Sequence, residues 1–204
     1  MIKHYTYEQL INSLEGRKAT YQELLNTQEW KSFRETVLLK DKNRCTVCGT
    51  KKSKIIRNNH VREFTEEEIE KQKILDEIEF ELHPQYLDIF DEKIKLKPAA
   101  RIGEILDMPL YLHAHHNFYI FGKLPWEYNP SDLKSMCEKC HTKFHKVNTV
   151  AFYTDTYKNE QLNLTPCSRC SGAGFLYEYS HVQGGICFKC NGAKYEELIG
   201  KGIY

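Results

Sequence analysis

The sequence predicts an α+β protein whose small core is held together by metal, and three observations carry that expectation. Capped helix starts gather before residue 40, a strand-like aromatic run spans 110–121, and eight cysteines fall without remainder into four Cys-x-x-Cys pairs. The 204 residues suit one ordinary domain or two small ones, at roughly 100–200 residues per domain. Charged residues at 28% and aromatics at 12% exclude a disordered chain or a fibre. No run of about 18 apolar residues offers a membrane span. The start, Met1-Ile2-Lys3-His4-Tyr5, lacks the apolar stretch of a secretory signal. The expectation is therefore a cytoplasmic protein with no membrane partner. A net charge of +1 rules out an overall basic field as the argument for a nucleic-acid partner. The charge is uneven, with 12 Lys/Arg against 6 Asp/Glu in residues 1–60 and the reverse balance in 61–100.

Taken in order, Thr6-Tyr7-Glu8-Gln9 and Thr20-Tyr21-Gln22-Glu23 have the pattern in which a threonine and a residue three places on cap a helix reciprocally. A longer helix is expected over about 28–39, with Trp30, Phe33, Val37 and Leu38 on its apolar face. The polar turn Asp41-Lys42-Asn43-Arg44 then delivers Cys45, and Lys51, Lys52, Lys54 and Arg57 precede or flank a short strand near Ile55. These four cations either contact phosphates or form a plain solvated face. Thr65 opens an acidic helix towards Leu82, with Ile69, Leu75, Ile78 and Leu82 as its apolar side; Pro84 stops it and a short helical stretch follows at 87–94. After the strand-like run, Ser131 is read as the start of a helix carrying Leu133, Met136, Cys140 and Phe144 at helical spacing. The expected divisions are N-terminal helices at 1–40, a core at 41–152 with an insertion at about 60–108, a linker at 153–163 and a small module at 164–204.

Each cysteine pair sits in a polar turn, and two such pairs complete a tetrahedron of sulfurs about one ion at about 2.3 Å. Four pairs in a chain with no export signal read as thiolate ligands, not as disulfides. Only 16 residues, rich in glycine, separate Cys170 from Cys187, so Cys167, Cys170, Cys187 and Cys190 form a self-contained site. Cys45 and Cys48 then close with Cys137 and Cys140 across 88 residues. Two structural zinc ions are expected.

Five of the nine histidines lie within 113–145, and the order His113-Ala114-His115-His116, Asp132-Leu133, Cys137-Glu138-Lys139-Cys140-His141, His145 carries a resemblance. It resembles the HNH endonucleases, in the zinc-stabilised branch with two Cys-x-x-Cys pairs, over Trp30–Cys48 and Tyr111–His145. The resemblance implies a ββα-metal core and a metal-dependent DNA endonuclease, with DNA as partner. It implies His116 as general base, and one catalytic divalent ion (magnesium, manganese or similar) held by His115, His141 and Asp132. Asp132 stands where the family usually has asparagine. A carboxylate is a competent hard ligand there, yet an acid after Ser131 is also favoured as a helix cap. His145, one turn beyond His141, can replace it as ligand, contact phosphate or face solvent. His113 shares a strand face with His115, not with His116. The other class left open is a DNA- or protein-binding zinc protein that keeps the scaffold without the chemistry.

A second departure is the 66 residues between Cys48 and His115, where simpler relatives have a short connection. At the C-terminus, Cys167-Ser168-Arg169-Cys170-Ser171-Gly172-Ala173-Gly174 and Cys187-Phe188-Lys189-Cys190-Asn191-Gly192-Ala193-Lys194 resemble half of the zinc region of DnaJ-type chaperones. The glycines follow the ligands because the chain must take positive φ there. This module is expected to be separable from the chemistry, with Tyr177, Tyr179, His181 and Phe188 as its own small core or as a base-stacking surface.

Overall fold

The computed structural model describes residues 5–56, 59–82, 103–107 and 109–201. The described chain is mixed α+β, with small sheets and few helices. It forms two compact units: residues 1–48 with 112–204, and residues 49–111.

In the first unit, helix α1 (Tyr7–Ser13) and helix α2 (Tyr21–Leu25) begin at Thr6 and Thr20 with both halves of the reciprocal cap in place. Helix α3 (Gln28–Lys40) is capped by Thr27 and buries Trp30, Val37 and Leu38. Leu10, Leu14, Ala19 and Leu24 close one cluster, while Trp30 and Val37 join Ile120, Tyr128 and Leu133 in a second.

Strand β4 (Leu112–His116) pairs antiparallel with strand β6 (Leu133–Cys137), and helix α5 (Glu138–Val147) follows directly. The helix expected from Ser131 is thus a strand for its first part. Leu133, Met136, Cys140 and Phe144 do recur at helical spacing, but the ladder with β4 claims 133–137, and the helix starts only after Cys137. Residues 130–132 form a single 3-10 turn ahead of the strand.

The expected linker at 153–163 is also structured. Strand β5 (Phe118–Ile120) pairs in parallel with strand β7 (Ala151–Tyr153), which pairs antiparallel with the short strand β8 (Gln161–Leu162). The zinc-type turns after it do not stand apart. Tyr195 and Leu198, just beyond the last cysteine, are buried with Tyr21, Tyr119, Val150 and Phe152 in one cluster. The Tyr195 hydroxyl donates to the Val150 carbonyl at 2.5 Å.

In the second unit, strands β1 (Lys54–Ile56), β2 (Asn59–Glu63) and β3 (Gly103–Leu106) form an antiparallel sheet, and helix α4 (Glu66–Leu82) is capped by Thr65. Arg62 bridges Glu68 and Glu104 at 2.8 and 2.7 Å. Lys51 and Lys54 both pair with Glu63, so half of the basic run is neutralised locally. Ile74, Leu75 and Ile78 of α4 are exposed. The stretch expected at 87–94 lies outside the described residues, as do Arg57 and Pro84. Among the described residues, no helix is long and apolar enough to cross a membrane.

Candidate metal centres and a histidine cavity

Two clusters of four cysteines could each bind zinc, and they pair as the spacing predicts: Cys45, Cys48, Cys137 and Cys140 in one, Cys167, Cys170, Cys187 and Cys190 in the other. The sulfurs of Cys48 and Cys137 are 3.7 Å apart, those of Cys167 and Cys187 4.0 Å, and those of Cys170 and Cys190 3.7 Å. A tetrahedron with zinc–sulfur bonds of about 2.3 Å needs sulfurs about 3.8 Å apart, whereas a disulfide needs about 2.05 Å. The donor set and its spacing therefore fit zinc.

Local chemistry aims each pair. The turn before Cys45 takes positive φ at Lys42 and Asn43, and its Asp41 carboxylate accepts the Ser135 N–H at 2.7 Å while the Thr46 N–H donates to the Ser135 carbonyl at 2.8 Å. The first knuckle is thus stitched to β6 two residues before Cys137. In the second cluster the Gly174 N–H donates to the Cys170 sulfur at 3.2 Å. Full-length protein dialysed against a mild chelator should retain two zinc ions by elemental analysis. Cys167→Ser should lose one of them; a value below two for the unaltered protein overturns the assignment.

A third group gathers on the strand–strand–helix segment. His115 of β4 and His141 and His145 of α5 each offer one ligand atom, all within 4.8 Å of one another, and all three are buried. An i, i+4 pair on one helix face and one strand residue opposite are enough to build it. The Nε2 of His115 and the Nδ1 of His141 are buried and meet no hydrogen-bond partner, a cost that an ion or a proton relay would remove. His113 lies parallel to His141, their centroids 4.8 Å apart at 11°, as the shared strand face requires. Burial first, and then neighbouring cations including Lys194, push His115 down to about 2 and His145 down to about 4. The imidazoles are therefore neutral at pH 7, the form that ligates metal.

The site residues expected from sequence divide. His115 and His141 come together, and His145 joins them. Asp132 does not: its carboxylate accepts the Asn129 N–H at 3.1 Å, as part of the cap on the 3-10 turn. His116 faces the other way from His115, stacked on Trp30 at 5.6 Å and held by the Pro125 carbonyl at 2.9 Å. A carbonyl only accepts, so Nε2 carries the hydrogen and Nδ1 keeps its lone pair. Burial, helped by Lys194, pushes His116 down to about 3.

His115, His116 and His141 nevertheless line one cavity of about 240 Å³, together with Arg34 of α3 and Phe175 and Lys194 of the C-terminal module. The Phe175 ring edges onto His113 at 4.8 Å, and the Ser171 backbone is hydrogen-bonded to His145. The module expected to be separable thus forms one wall of the histidine site. The one signal for this in the sequence was Lys194, where the repeat predicts glycine. Comparisons of the chain with known families, with curated proteins and with solved structures give no match.

Proposed function

We propose that the chain is a metal-dependent DNA endonuclease of the HNH type, hydrolysing phosphodiester bonds. The observation that carries the reading is the meeting of His115 of strand β4 with His141 and His145 of helix α5, with His116 next to His115 in sequence and lining a cavity with His115 and His141.

In this reading His115, His141 and His145 hold one divalent ion, which would supply charge neutralisation at the scissile phosphate and the leaving oxygen. His116 takes the proton from the attacking water on its Nδ1. The new bond joins water oxygen to phosphorus, the bond to the 3′ oxygen breaks, and that oxygen takes a proton from solvent water, so the products carry 5′-phosphate and 3′-hydroxyl ends. The Pro125 carbonyl fixes the ring for this role. An anionic phosphate in the cavity opposes the field of Lys194 and raises the basicity of His116.

Three imidazoles in place of two and a carboxylate change the expected ion. Imidazole suits zinc, nickel and cobalt better than magnesium or manganese, which prefer oxygen ligands. Cleavage of plasmid by chelator-treated protein should recover with cobalt or nickel at concentrations at least roughly tenfold below those needed with magnesium. Asp132→Asn should leave that metal dependence unchanged. Equal recovery with magnesium, or a shift on Asp132→Asn, rejects the trio as the ligand set. The near-complete burial of His115 and His116, at 2% and 1% exposed, favours one other reading, a DNA- or protein-binding zinc protein without catalysis. A metal-dependent nicking assay on supercoiled plasmid separates the two.

A further inference from the structure

The two cysteine turns of the C-terminal module share the Cys-x-x-Cys-x-Gly-x-Gly pattern at every fixed position but the last. Gly172 and Gly174 follow the first pair with φ of 83° and 73°, and Gly192 and Lys194 follow the second with φ of 82° and 71°. Left-handed backbone costs a residue with a Cβ roughly 1–2 kcal/mol. The chain carries that cost at Lys194, where its own first copy uses glycine.

The lysine is buried and lines the histidine cavity. It runs past Gly174, where an added Cβ would stand 3.2 Å from its Cγ, and its ammonium lies 3.4 Å from the ring centre of Tyr21 and 4.4 Å from that of Tyr119. No carboxylate among the described residues pairs with it. The same cavity is lined by Arg34, mostly buried, which spends one guanidinium nitrogen on the Leu112 carbonyl. Its lining includes no Asp or Glu. A buried lysine and a part-buried arginine facing a space without an acid are costly to keep charged unless an anion arrives to pair with them.

We infer that Arg34 and Lys194 form a seat for a tetrahedral oxyanion, the phosphate of a nucleic-acid backbone, held beside the histidine trio. The identity of the anion rests on the endonuclease reading; the presence of the seat does not. Burial lowers the affinity of Lys194 for its proton, and the thiols of Cys190 and Cys170 partly restore it, so the lysine also faces the second zinc cluster. A tetrathiolate zinc centre carries two negative charges, and balancing it is the competing role for this lysine.

The test is calorimetric titration of inorganic phosphate, and separately of a deoxydinucleotide with one phosphodiester, into the zinc-loaded full chain. Unaltered protein is compared with Lys194→Gly, Lys194→Met and Arg34→Gln, with zinc content measured for each. Glycine suits the left-handed backbone, so Lys194→Gly keeps the turn, and Arg34 lies outside the zinc module altogether. Losing one charge-assisted contact should weaken both ligands roughly 10–100-fold while both zinc ions stay. Unchanged phosphate affinity in Lys194→Gly and Arg34→Gln overturns the inference. Loss of the second zinc in Lys194→Met with phosphate affinity intact overturns it in favour of charge balance. Phosphate binding by a protein that nicks no plasmid supports the seat and counts against the endonuclease reading alone.

Discussion

Truncation after Asp155 should abolish the folded state of the first unit and, on the endonuclease reading, all metal-dependent cleavage. The deletion removes Tyr195 and Leu198 from the cluster that also holds Tyr21, Tyr119 and Phe152. Removing a buried aromatic and a buried leucine costs roughly 3–5 and 2–5 kcal/mol respectively. It also removes the wall of the cavity against His113 and His145 and a four-sulfur site whose metal adds to folding free energy. A domain has only about 5–15 kcal/mol to lose. Circular dichroism of the truncated chain should show no cooperative melt. Tyr195→Ala, which leaves every cysteine in place, should lower the melting temperature steeply and reduce cleavage in proportion to the folded fraction. A truncated chain that melts cooperatively and cuts plasmid at the full rate would mean that this packing contributes nothing.

His116→Gln should lower the cleavage rate roughly 10²–10⁴-fold, the usual worth of a positioned general base. Glutamine keeps most of the volume against Trp30 and Tyr128, so the melt should change little, and metal affinity should stay. His115→Ala, His141→Ala and His145→Ala should behave differently: each removes one ligand, weakens the ion and recovers in part at high metal concentration. Rescue of His116→Gln by metal, with none for the other three, would exchange the roles. Full activity in all four would end the mechanism at this site.

What the sequence made legible follows from how local the cause was. The caps at Thr6, Thr20 and Thr65 depend on four consecutive residues, and all three form. Cysteine pairing depends on loop length and ligand geometry, and it too could be read directly. Residues 133–137 were misread because Leu133, Met136 and Cys140 satisfy helical spacing, while the strand depends on pairing with Leu112–His116, twenty residues away. Asp132 was ambiguous between ligand and cap because an acid suits both, and only the Asn129 N–H decides it. Apart from Lys194 in place of the repeat's glycine, the docking of the C-terminal module left no signal in the sequence. Tyr195 and Leu198 carry no pattern in sequence, and their partners lie on α2, β5 and β7.

The first cysteine cluster has a consequence for how such a chain can change over generations. The chain leaves the first unit at Cys48 and returns at Leu112. The Cys48 sulfur is 3.7 Å from that of Cys137, and Leu112 is the strand partner of the same Cys137. Cys48 and Leu112, the first-unit residues that flank 49–111, therefore meet at one residue, a node of the first unit. Lengthening a closed loop costs only about 0.6 kcal/mol per doubling, and a zinc ion in the first cluster would hold the node at any loop length. A change in the length of that segment therefore carries little cost for the strand and helix that hold the histidines.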